Sequence, residues 1–87
     1  MANEEIQQAI KNYVLTEFLA GEAPDSIDGS TPLISGGILD SISTLKLVSH
    51  LEETYGVEFQ AHEVDADYLD TIADIAGIIE TKVSEKG

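Results

Sequence analysis

Residues 36–59 read GGILDSISTLKLVSHLEETYGVEF, and this stretch decides the fold. A glycine pair leads through Ile38 and Leu39 to Asp40, whose carboxylate can accept from the orphan amides of a helix start. Behind it Leu47, Val48, Leu51 and Tyr55 are spaced by three and four, an apolar stripe on one helix face. Gly56 closes the helix, and Val57 and Phe59 return the chain to the core. The stretch predicts a helix over 41–55 with Ser41 in its first turn.

The same periodicity reads outward in both directions. Ile6, Ala9, Ile10, Tyr13, Val14 and Phe18 form an apolar stripe, predicting a first helix over 3–20 with Asn3 as cap and Gly21 as stop. Residues 21–40 are rich in Gly, Pro, Ser, Thr and Asp and read as a long loop. Ile27, Leu33, Ile34, Ile38 and Leu39 are placed to pin that loop onto the helices. Residues 62–67 predict one short helix. Ile72, Ile75, Ala76, Ile79 and Val83 predict a last helix over 71–83, with Thr71 and Asp74 at capping-box spacing and a frayed tail beyond. The expected fold is all-α: a small antiparallel bundle of three main helices and one short one, in a single domain spanning 1–87.

Composition narrows the function. The 87 residues hold 17 acids and 4 Lys+Arg, a net charge of −13, with 43% hydrophobic residues and no cysteine. That hydrophobic share belongs to a folded chain and not to an acidic tail. Disulfides, thiolate metal sites and cysteine nucleophiles are excluded. Nucleic acid is excluded as a partner, because polyanion binding needs cations to displace counterions. The acidic, polar start resembles no secretory signal and no apolar run could span a membrane, so a cytoplasmic location, no membrane insertion and a monomeric state are expected.

Three chemical readings fail on spacing. Asp65, Asp67 and Asp70 begin like a calcium loop, but Leu69, Asp70 and Ala76 stand where it needs an oxygen ligand, glycine and glutamate. These acids read instead as solvated helix-start residues, and no metal site is expected. Ser41 and His50 lie nine residues apart on one helix and point to opposite sides, so they make no nucleophile–base pair. His50 and His62 both read as surface residues. Ser35-Gly36-Gly37 lacks the lysine of a phosphate loop. No catalytic residue is expected.

The sequence resembles the acyl carrier protein family, including its peptidyl and D-alanyl members. The resemblance rests on Leu39-Asp40-Ser41-Ile42 and runs through Leu45, Leu47, Val48, Leu51-Glu52-Glu53, Tyr55 and Val57-Glu58-Phe59 to Tyr68-Leu69-Asp70-Thr71-Ile72. It implies that Ser41 carries a covalent 4′-phosphopantetheine arm. A phosphopantetheinyl transferase would take that arm from coenzyme A. The arm's thiol would hold acyl or aminoacyl groups as thioesters for loading, acyl-transfer or condensing enzymes, so the protein would be a free-standing carrier and not an enzyme. Fatty-acid carriers usually have glycine at the position of Ile38 and acids at those of Ser43 and Lys46. Gly-Ile-Leu-Asp-Ser looks more like the D-alanyl, peptidyl or specialised carriers. The alternative is an acidic interaction module that keeps the fold without the prosthetic group.

A helical wheel adds a partner face. Ile42 falls opposite the apolar stripe, beside Lys46, Ser49 and Glu53, with Asp40 at the helix mouth. An apolar side chain beside the attachment serine has no packing role there. It is expected to touch any enzyme reaching the arm, with Lys46 setting which partners are accepted.

Overall fold

The structure is a computed structural model, and it describes residues 3–19, 21 and 26–86. Four α-helices follow in order: α1 (Asn3–Glu17), α2 (Ser41–Tyr55), α3 (Ala66–Leu69) and α4 (Ile72–Lys86), with a 3-10 turn at Ala61–Glu63 before α3. Among the described residues there is no strand. The architecture is the all-α bundle that the periodicity predicts.

Each helix turns its apolar stripe inward. Ile6, Ile10 and Val14 of α1, Leu47, Val48 and Leu51 of α2, and Ile72, Ile75, Ala76 and Ile79 of α4 are buried in one core. α1 packs on α4, and α3 packs on the start of α4. Each fully buried Ile or Leu contributes about 1.5–3 kcal/mol of transfer free energy. One stripe residue, and one residue outside the stripes, differ from expectation. Ala9 is exposed, because the buried arc of α1 is narrower than the run of apolar letters. Thr44 is buried, because its hydroxyl donates to the Asp40 carbonyl at 2.7 Å and leaves only the methyl to face the core.

The helix ends also differ in ways that local hydrogen bonding explains. α1 stops at Glu17 and not near residue 20, because the Phe18 and Leu19 amides converge on the Val14 carbonyl and close the last turn. The short helix expected over 62–67 is two elements. The Gln60 amide donates to the Glu63 carboxylate at 2.7 Å, which closes the 3-10 turn. Asp65 then starts α3 afresh in extended backbone, accepting from the Asp67 amide at 2.9 Å. α4 runs on to Lys86, past the end expected at residue 83 and through the tail expected to fray, since no glycine or proline follows Gly77 until Gly87. Thr71 caps α4 as expected, accepting from the Asp74 amide at 3.1 Å. α2 closes at Gly56, whose φ of 66° is the left-handed conformation that glycine adopts without strain.

The described part of the long loop is anchored as expected. Ile27, Leu33 and Leu39 are buried, with Ile34 and Ile38 packed half-buried against the core. Its backbone is then clamped by one residue. The Asp70 carboxylate accepts from the Ile34 amide at 2.9 Å, the Ser35 amide at 2.8 Å and the Ser35 hydroxyl at 2.7 Å. The Asp70 carbonyl also accepts from the Leu33 amide. Asp70 is therefore not the solvated helix-start acid expected from sequence; four loop donors need a carboxylate and a carbonyl there. The turn that results is tight. A Cβ on Gly36 would strike the Pro32 carbonyl oxygen, so no larger residue fits that backbone.

The Ser35 amide and then its hydroxyl, with the Ile34 amide adding to them, hold the Asp70 carboxyl below the usual carboxylate range. A carboxyl whose pKa is lowered by folding stabilises the fold above its unfolded pKa, and that contribution is lost as pH falls through the lower folded value. Asp70→Asn is expected to melt below the wild type at neutral pH. The gap between the two melting curves should narrow below about pH 4, as the wild-type carboxyl protonates. Thermal melts at several pH values check this. Leu33→Ala, at a loop position with no exposed surface, should cost about 2–5 kcal/mol in urea unfolding, as a core deletion would.

Candidate functional site

The loop delivers Asp40 in extended backbone at the start of α2, with φ −91° and ψ −174°. Its carboxylate accepts from the Ser43 amide at 2.7 Å, and its carbonyl accepts from the Thr44 amide at 2.9 Å. The Ser43 amide, followed by the Ser43 hydroxyl, holds the Asp40 carboxyl below the usual range, so it stays ionised as the cap. Asp40 is a helix cap first, and its place at the mouth of α2 follows from that.

Ser41 is the first residue of α2 and is exposed. Among the described residues its hydroxyl makes no hydrogen bond. The neighbouring serines differ. The Ser35 hydroxyl is engaged by Asp70 and the Ser43 hydroxyl by Asp40, while Ser49 lies two turns further along α2. Ser41 is therefore the free hydroxyl at the helix mouth. The amides of a helix start favour an anionic group placed beside them.

Ile42 lies outward as the wheel predicts, 67% exposed. It lines an open groove with Lys46, Ser49 and Glu53, so the structure brings together four of the side chains expected of the partner face, while Asp40 lies outside that groove at the helix start. Leu45, 57% exposed, belongs to the same groove and was legible from sequence as the i+3 neighbour of Ile42. Tyr13 and His50 complete it. The two rings stack with centroids 3.9 Å apart and planes 10° from parallel. His50 is thus half-buried against α1 and not a plain surface residue. Nothing in the letters pairs Tyr13 with His50, because their contact depends on how α1 crosses α2. His62 is exposed as expected, edge-on to Tyr68 at 5.7 Å.

The charge of this face differs from that of the chain. From Ser41 to Leu51 α2 contains no acid, and its cation is Lys46. Lys46 makes no ion pair among the described residues, whereas Lys82 is held by Glu63 at 2.9 Å and lies over the Phe59 ring. Among the described residues no cluster of three or more His, Asp or Glu is placed to hold a metal ion.

The family model for the phosphopantetheine attachment site matches residues 14–79, from the fourth turn of α1 into α4. The chain belongs to the phosphopantetheine attachment family. Domains of this family are where 4′-phosphopantetheine is attached covalently, and they are generally non-catalytic. They work with phosphopantetheinyl transferases and with biosynthetic enzymes. A chain in a solved structure called "Crystal structure of FAD-dependent dehydrogenase" superposes with a TM-score of 0.72 at 34% identity. The match covers 80% of this chain and 97% of that one. Among the described residues of this carrier-family chain, no helix is long and apolar enough to cross a membrane.

Exposure separates the two faces of α2 experimentally. Ile42→Ala is expected to change stability by less than about 0.5 kcal/mol. Leu47→Ala, at a position with no exposed surface, should lose about 2–5 kcal/mol. Urea unfolding followed by circular dichroism measures both.

Proposed function

We propose that the protein is an acyl carrier whose 4′-phosphopantetheine arm is joined to Ser41, and that it presents acyl or aminoacyl thioesters to partner enzymes. The observation that carries this reading is the free, exposed hydroxyl of Ser41 at the mouth of a capped helix, inside a match to the attachment-site family. In the transfer, Ser41 Oγ forms the new bond to the phosphorus of coenzyme A that bears the pantetheine. The bond to the adenosine bisphosphate breaks, and the serine proton passes to a base of the transferase. When bound, the arm supplies the thiol; this chain supplies the anchoring hydroxyl, the helix start beside the phosphate and the surface that partners read.

The partner surface in this reading is the α2 face of Ile42, Lys46, Ser49 and Glu53, reached past Asp40. Ile42 gives an apolar contact next to the arm. Lys46 discourages the basic patches that suit an acidic carrier and favours partners with an acid at that point. The similarity to a chain from the FAD-dependent dehydrogenase crystal supports one class of partner. That matched chain is itself of carrier size, since 80% of this 87-residue chain spans 97% of it. A flavin-dependent dehydrogenase is therefore one class of enzyme to which the loaded arm would be presented. Cytoplasmic location and a monomeric state accompany this reading.

Intact-mass spectrometry after incubation with coenzyme A and a broad-specificity transferase tests the assignment. The wild type should gain one phosphopantetheine and Ser41→Ala none. A wild type that gains nothing would leave the acidic interaction module as the reading. A Ser41→Ala chain that still gains the group would move the site to another serine. Ile42→Ala should slow loading by the transferase while its melting temperature stays within about 4 °C, since an exposed substitution costs roughly 0.5 kcal/mol or less. Lys46→Glu should change the ranking of partners without changing stability.

A further inference from the structure

Gly77 stands in the middle of α4 without a reason in the fold. Its φ is not positive, and a Cβ added there would meet nothing within 4 Å. Glycine is among the least favourable residues inside a helix, and here neither a turn nor a close approach of the described chain requires it. Gly77 lines a groove of about 410 Å³ between α3 and α4. Tyr68, 40% exposed, and Ile78 are the apolar walls of that groove. Two of its polar side chains are already engaged. The Thr81 hydroxyl donates to the Gly77 carbonyl at 3.0 Å, and Lys82 is held by Glu63 at 2.9 Å.

The charge left around this groove is negative. Glu85 lines it and makes no ion pair among the described residues. Asp74 stands one turn before Gly77 and Ile78, and Asp67 directly precedes Tyr68; both acids are exposed. The groove's own cation, Lys82, is neutralised by Glu63. The α2 face is the reverse, with Lys46 unpaired among the described residues and no acid from Ser41 to Leu51.

We propose that the groove between α3 and α4 is a second docking surface, and that it takes a basic amphipathic helix of a partner protein. An apolar side chain of that helix enters beside Gly77, against Tyr68 and Ile78, and removes both from water. Lys or Arg on either side of it reach Asp74 and Glu85. A bulkier residue at position 77 would fill the space that the helix needs. The acidic chain as a whole steers a basic segment toward it, and Lys46 turns that segment away from α2. A second copy of this chain is a poor occupant, since each copy carries a net charge of −13.

None of the groove's walls comes from α2. A partner held here leaves Ser41, Ile42 and Leu45 uncovered, so it retains the carrier while other enzymes read the α2 face in turn. Such retention raises the effective concentration of the carrier at enzymes linked to that partner. Binding at this groove does not need the arm and is separable from the assignment of Ser41.

The test titrates the full ¹⁵N-labelled chain, at moderate salt, with a synthetic helical peptide that has leucines on one face and lysines on the other. Amide shifts should centre on 66–69 and 74–85 and leave 41–53 unmoved. A peptide with glutamates in place of the lysines should not bind. Shifts centred on 41–53, or binding that salt abolishes, would overturn the proposal. Gly77→Gln should bind about tenfold more weakly and melt no lower than the wild type, because it removes a helix glycine into open space. Unchanged binding by this variant would overturn the proposal, and so would a lower melting temperature, which would show that Gly77 serves the fold. Asp74→Lys with Glu85→Lys keeps Gly77 and should exchange the preference, binding the glutamate peptide over the lysine one; a preference that stays put would overturn the charge pairing. Ser41→Ala should bind like the wild type, and a loss of binding in that chain would tie the groove to the arm and overturn its independence.

Discussion

One carboxylate organises the approach to the site. Asp70 gathers two amides and a hydroxyl from Ile34 and Ser35, and its carbonyl takes the Leu33 amide as well. Without it those donors would compete for water at a place where Leu33 and Leu39 must be dry. The clamp joins the loop before α2 to the chain between α3 and α4, elements far apart in sequence. It fixes where the loop ends, and hence where Asp40 can cap α2 and where Ser41 faces. The hydrophobic core makes the bundle; this polar knot aims Ser41.

Much of this was legible from the letters because it depends on local periodicity. The stripes of α1, α2 and α4 follow the helical repeat, and Asp40, Gly56 and Thr71 mark ends that their own side chains or backbone enforce. Ile42 could be placed outward for the same reason. The resemblance carried by Leu39-Asp40-Ser41-Ile42 supplied the chemistry, which periodicity alone could not. Sequence reading failed where a partner lay far along the chain. Asp70 looked like one more surface acid because its ligands precede it by 35 and 36 residues. His50 looked exposed because Tyr13 reaches it from another helix. The split between the 3-10 turn and α3 was hidden for a different reason: two competing caps, Glu63 and Asp65, stand two residues apart.

Charge is distributed with similar economy. The excess of acids lies away from the first three turns of α2, the face proposed to meet a transferase and later enzymes. Solubility and self-repulsion are set by the rest of the surface. The proposed docking face pairs exposed Ile42 and Leu45 with one cation, Lys46, and one acid, Glu53, so recognition there would rest on shape and on single charges more than on a broad field. Partner discrimination by such a face acts at short range, where salt screens little.

The stack of Tyr13 on His50 has a use outside recognition. The protein has no tryptophan and three tyrosines, so its near-ultraviolet emission comes from tyrosine. One of those rings lies against an imidazole inside the docking groove. Anything that parts the two rings alters both the emission and the ring-current shifts of the imidazole protons. The groove thus carries its own chromophore, and occupancy can be followed in the unlabelled native chain.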